Sequence, residues 1–176
     1  MSKTQLKKEL ARLSADQIAE LVLDLYDARP EAKEYLDFYI RPDIDAKLDK
    51  TRRLINKEVT RASRGRSKMR STKLRRLIKD ISSLNPGQEP VCEILTFTIE
   101  AACEAGSRYW VKETTQRSIA KLMQEAVREA DRAGLLDVYL PRIREAVESM
   151  SPSPHHSGYF KSQLREALAD AIDQLP

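Results

Sequence analysis

Apolar residues recur along this chain at the three- and four-residue spacing of amphipathic helices, beginning with Leu6, Leu10 and Leu13. Ser14-Ala15-Asp16-Gln17 then has the form of a capping box, in which a hydroxyl reaches forward to the third helical N–H. Ile18, Leu21, Val22, Leu25 and Tyr26 continue as one stripe. Pro30 suits the first turn of a third helix, where no N–H donor is needed, and Ala32, Tyr35, Leu36, Tyr39 and Ile40 follow it. After Pro42 a fourth stripe runs through Ile44, Leu48, Thr51, Ile55 and Val59.

The period fails between Arg61 and Arg70. It resumes at Leu74, Leu77, Ile78, Ile81 and Leu84, with Ser71 as the natural N-cap and Asn85-Pro86-Gly87 as the stop. Residues 90–105 are the most apolar segment, and their only charges, Glu93, Glu100 and Glu104, share one narrow stripe. That pattern predicts a central helix enclosed on most sides. Its ILTFTI stretch has the β-branched content of a strand, but no second strand is at hand to pair with it.

Gly106 is expected to close that helix. Ile119, Leu122, Met123, Ala126, Val127 and Ala130 mark another over about 113–133, with Gly134 as its C-cap. Leu136, Leu140, Ile143, Val147 and Met150 define the next, and Phe160, Leu164, Leu168, Ala171, Ile172 and Leu175 the last. The expectation is an all-α, single-domain antiparallel helical array of about nine helices over 1–176, either an irregular bundle or a short helical-hairpin solenoid. It carries a mobile basic loop at about 61–70 and a Pro/Ser connector at 151–158.

Composition agrees, with only five glycines and 33% charged residues. No apolar run approaches the roughly 20 residues of a membrane span, and MSKTQLKKEL lacks the apolar block of a secretory signal. A cytoplasmic location follows as the expectation. Cys92 and Cys103 would stand about 16 Å apart on one helix, beyond the reach of a disulfide, and are expected to be buried thiols.

The text LKKEL, LSADQIAELVLDLYD and KEYLDFYIRP, from Leu6 to Pro42, resembles an uncharacterised bacterial domain-of-unknown-function family. The likeness continues through the basic segment and reaches Gly158-Tyr159-Phe160. It implies a bacterial, helical, cytoplasmic protein and brings no catalytic residues with it.

Chemistry is sparse. His155 and His156 are adjacent and share no helix face, and no metal-binding spacing is present. Asp43, Asp45 and Asp49 suggest a calcium loop, but Leu48 stands where glycine is required and Leu54 where glutamate is. Asp24/Asp27 and Glu31/Glu34 suit solvated helix faces better than a general acid and base, and Tyr35, Phe38 and Tyr39 suit core and rim. No catalytic residue, metal or cofactor is expected, and the chain is taken as a non-enzymatic binding module.

The basic segment stands apart. Residues 52–79 carry +11 within a chain of net +4, which leaves −7 elsewhere. Arg61, Arg64, Arg66, Lys68, Arg70, Lys73, Arg75 and Arg76 are the candidate polyanion-binding residues, because arginine forks match phosphate oxygens. The expected partner is RNA or DNA. The alternative is an acidic protein surface, a second copy of the chain included. With no aromatic in 61–79, binding is expected to be backbone-directed, through about six phosphates. The loop is expected to add little to the core, so that replacing Arg61, Arg64, Arg66, Lys68 and Arg70 by Ser would leave stability nearly unchanged.

Overall fold

The helix announced by the Ser14 capping box begins where that pattern places it. The Ser14 N–H donates to Gln17 Oε1 at 2.9 Å while the Gln17 N–H donates to the Ser14 hydroxyl at 3.2 Å. Ser2 and Gln5 repeat the arrangement one helix earlier. The computed structural model describes residues 1–151 and 159–175. The connector beyond Ser151, with His155 and His156, lies outside the described residues.

One domain is expected over 1–176; the chain divides into two compact units, Met1–Asp43 and Ile44–Pro176. The first unit holds α1 (Lys3–Leu10), α2 (Ala15–Ala28) and α3 (Pro30–Ile40), the last opened by Pro30 at its first position. The Tyr26 hydroxyl donates to Asp37 at 2.9 Å and the Lys33 ammonium lies 5.0 Å from the Tyr26 ring centroid, which ties α2 to α3. None of these helices contains a buried residue. Leu21, Val22 and Leu25, which the stripe marks as core, are all exposed.

The second unit runs α4 (Ile44–Val59), β1 (Ala62–Ser63), β2 (Arg66–Ser67), α5 (Ser71–Ser82), α6 (Gln88–Arg108), α7 (Glu113–Arg132), α8 (Leu136–Glu148) and α9 (Tyr159–Asp173). Among the described residues each helix packs on the next and the next but one, and makes no more than marginal contact with any farther along. That is the order of stacked helical hairpins, not of a closed ring in which first and last helices meet. The core is continuous, with Ile55, Leu74, Ile81, Ile94, Leu95, Ile99, Ile119, Met123, Ile143 and Leu164 all essentially inaccessible.

The apolar segment is α6, helical through ILTFTI, and α4, α5, α7 and α8 pack around it. Its acidic stripe is where flanking helices lay their arginines. Arg142 of α8 donates to Glu100 at 2.9 Å and to Glu93 at 2.6 Å, and Arg52 of α4 donates to Glu93 at 2.9 Å. Burial pushes the Glu93 carboxyl up, but Arg142 and Arg52 outweigh it and hold the group below the usual carboxylate range.

Three local expectations need correction. Gly106 does not end α6, which continues to Arg108. A Cβ at this buried glycine would meet the Phe160 ring at 2.8 Å and Met150 Cε at 3.1 Å, so the residue is a packing site for the start of α9. Ser71 is the first residue of α5, not its cap; Arg70 holds the N-cap position and makes no side-chain cap bond. An absence of sheet was expected, yet β1 and β2 pair.

Gly134 fulfils its assignment at φ +67. The Leu135 N–H reaches the Ala130 carbonyl and the Gly134 N–H the Asp131 carbonyl, a Schellman closure of α7. Among the described residues no helix is long and apolar enough to cross a membrane.

Candidate nucleic-acid interface

The candidate interface is built on the segment where helical periodicity fails. β1 and β2 pair antiparallel, Ala62 opposite Ser67 and Ser63 opposite Arg66. The connecting residues, Arg64 at φ +50 and Gly65 at φ +74, both adopt positive φ, as a two-residue type I′ turn requires. Glycine accepts that conformation freely, whereas for arginine it costs about 1 kcal/mol. Main-chain bonds from outside the turn hold it: Lys68 N–H to the Arg61 carbonyl at 2.7 Å and Trp110 N–H to the Gly65 carbonyl at 2.8 Å. The segment also adds Met69 to the core, with Ser67 buried beside it, so the expectation that it contributes little fails.

The hairpin is anchored on an internal anion. Glu58, at the end of α4, has no exposed side-chain surface. It accepts from Arg70 Nε at 2.8 Å, Arg70 Nη2 at 2.9 Å and the Arg70 N–H at 3.1 Å. Arg61 lies at 3.4 Å and Lys73 Nζ at 3.5 Å. The Arg70 side-chain bonds hold the Glu58 carboxyl down at about 2, against the upward push of burial. A carboxylate that reads in sequence as one anion among many cations is therefore the organising centre of the strip.

This sorts the eight candidates. Arg61, Arg70 and Lys73 gather on Glu58, and Arg75 pairs with Glu125 of α7 at 2.9 Å. Arg64, Arg66, Lys68 and Arg76 are exposed, with no carboxylate at ion-pair distance among the described residues. A surface groove of about 540 Å³ on α5, lined by Arg70, Thr72, Lys73, Arg76, Leu77 and Asp80, continues the positive surface beyond the hairpin.

Trp110, absent from the expected set, belongs to this site. Its carbonyl accepts the Ser67 N–H at 2.7 Å, it bridges Arg66 in parallel, and its ring centroid lies 4.2 Å from the Arg66 guanidinium carbon. Trp110 sits in the connection between α6 and α7, so no spacing within 61–79 could have located it. Its being the chain's single tryptophan was the one available signal.

Among the described residues the remaining candidates gather into no second site. Cys92 and Cys103 are free and buried, as expected, and burial pushes the Cys103 thiol up to about 12, which leaves it protonated. Among the described residues no cluster of three or more His, Cys, Asp or Glu could hold a metal ion. Asp24, Asp27, Glu31 and Glu34 are exposed on α2 and α3, and Tyr35 stacks on Tyr39 with centroids 6.5 Å apart. A cavity of about 380 Å³ on α6 and α8 is lined by Glu100, Ser107, Arg142, Glu145 and Ser149, but its arginine is committed to Glu93 and Glu100.

Neither a curated protein nor a solved structure matches the chain. A family model does match, over residues 1–153, which takes in both units as far as α8. The chain thus belongs to a family of unknown function, DUF6155.

Proposed function

We propose that this chain is a non-enzymatic binding module that holds a nucleic acid by its phosphates, through the hairpin and the exposed face of α5. The observation that carries this reading is the division of labour among the cations. Arg70, Arg61 and Lys73 neutralise Glu58 and fix the hairpin, while Arg64, Arg66, Lys68 and Arg76 are exposed with no carboxylate of their own among the described residues. Guanidinium groups in that state match phosphate oxygens, and fixing the main chain beneath them lowers the ordering cost of binding.

The internal pairing reduces the number of cations available to phosphates from about six to about four. Duplex affinity should then fall with roughly the inverse third to fourth power of salt concentration, about a hundredfold between 50 and 200 mM. Titrating labelled RNA and DNA at several salt concentrations tests this. Changing Arg64, Arg66, Lys68 and Arg76 together to Ser should flatten the slope and weaken binding to every sequence alike. Absence of binding at 50 mM, or binding unmoved by the four substitutions, rejects the reading and assigns the strip to an acidic protein surface instead.

A further inference from the structure

Arg66 differs from the other outward cations in how it is held. Its main chain is fixed twice, by pairing with Ser63 in the hairpin and by the bridge to Trp110, and its guanidinium lies over the indole ring. It is nevertheless exposed, and no carboxylate takes its N–H edges among the described residues. The outward face of the guanidinium is therefore open while its inward face is supported by an aromatic.

A guanidinium plane held in this way is a surface on which a nucleobase stacks, and only a base free of its own helical stack can use it. Alternation along the strand puts Arg66 and Lys68 on the outward face of the hairpin, while Ser67 and Met69 between and after them are buried. Two strand residues span about 6.8 Å, comparable to the step between successive phosphates of an extended strand. Arg64, exposed at the turn, adds a third cation beside them.

We infer that the Arg66–Trp110 stack is a platform for an unpaired base, so that the strip takes single-stranded nucleic acid in preference to duplex. This rests on the phosphate-binding reading above and specifies its substrate. A duplex keeps its bases stacked on one another and engages the cations alone; a single strand adds one base–guanidinium contact, expected to favour it on the order of tenfold.

Trp110 is the only tryptophan, so its emission reports this position without mutation. The experiment titrates the full chain with a short mixed-sequence oligonucleotide, single-stranded and annealed to its complement, at one salt concentration. Tryptophan emission and the anisotropy of a labelled strand are followed together. The expected result is about tenfold tighter binding of the single strand, accompanied by a change in Trp110 emission that the duplex does not produce. Arg66→Lys keeps the charge and removes the plane; it should abolish the tenfold preference, bringing single-strand affinity down to the duplex affinity measured on the same variant. Equal affinity for both forms in the unaltered chain, or a preference that survives Arg66→Lys, overturns the platform and leaves phosphate binding standing. Failure of both forms to bind removes the phosphate reading as well.

Discussion

Leu21, Val22 and Leu25 of α2 and Leu95 and Ile99 of α6 occupy comparable places on helical stripes. The first three are 48%, 38% and 49% exposed; the last two are 1% and 0% exposed. Both units repeat apolar residues at helical spacing, and both form the helices that spacing predicts. What separates them is how much surface each has to share. The Met1–Asp43 unit has three helices, near the size below which a chain rarely closes a core unaided. Its stability is local, drawn from two capping boxes, the Tyr26–Asp37 hydrogen bond and the Lys33–Tyr26 contact. In the Ile44–Pro176 unit α6 shares its surface with α4, α5, α7 and α8, so nearly every apolar position on it is enclosed. Periodicity thus predicts a helix and the face it would bury, but not whether anything is there to bury it against.

The sharpest way to break this comparison is a pair of truncations. Leu95→Ala should destabilise by about 2–5 kcal/mol, the range for a fully buried leucine that leaves a cavity. Leu25→Ala should cost less than about 1 kcal/mol, since roughly half of its side chain already meets water. Urea denaturation of the full chain measures both. A Leu25→Ala cost equal to that of Leu95→Ala would mean that the α2 stripe is covered in solution.

The next effect concerns the anchor of the strip. The Glu58 carboxyl sits at about 2 against an ordinary 4.5, held down chiefly by the Arg70 side chain. A depressed carboxylate contributes stability that is complete above pH about 4.5 and is lost as pH falls toward about 2. The shift corresponds to about 3 kcal/mol. Glu58→Gln should remove an amount of that order at neutral pH, and the difference from the unaltered chain should shrink steadily between pH 4.5 and 2. Urea midpoints measured across that range give the curve; a difference that stays constant with pH would show that Glu58 acts through packing, not charge.

Helices, their order and the apolar centre were legible because each is written locally, in capping residues, periodic leucines and a Schellman glycine. The hairpin was not, because its strands are two residues long and its turn reads Arg64-Gly65 where asparagine or aspartate is the usual signal. All eight nominated cations were legible as charge, but their division was not, since it depends on the burial of Glu58. Replacing Arg61, Arg64, Arg66, Lys68 and Arg70 together by Ser should therefore destabilise, contrary to the expectation from sequence, because it strips Glu58 of its closest partners, whereas Arg64, Arg66 and Lys68 do not pair with Glu58. Trp110 escaped for the same reason, being brought to Arg66 by main-chain pairing between distant segments.

The smallest effect separates the two units by the origin of their helix stability. Ser14 and Gln17 satisfy each other's main-chain N–H groups at the start of α2, and Ser14→Ala removes the hydroxyl half of that exchange, at a cost of about 1 kcal/mol. In a unit with no buried residue there is little packing to absorb the loss, so it should appear as fraying of the first turn. The amides of Gln17 and Ile18 should exchange with solvent about fivefold faster, the factor that 1 kcal/mol implies. Helix α5 provides the contrast: its N-cap, Arg70, makes no side-chain cap bond, and the helix stands on Leu74, Leu77, Ile78 and Ile81, all buried. Ser71→Ala, at the first residue of that helix, should therefore leave its exchange rates nearly unchanged. Hydrogen exchange followed residue by residue on the two variants reads both effects in the full chain. If Ser14→Ala left the Gln17 and Ile18 amides exchanging at their original rates, local capping would not be what holds the start of α2.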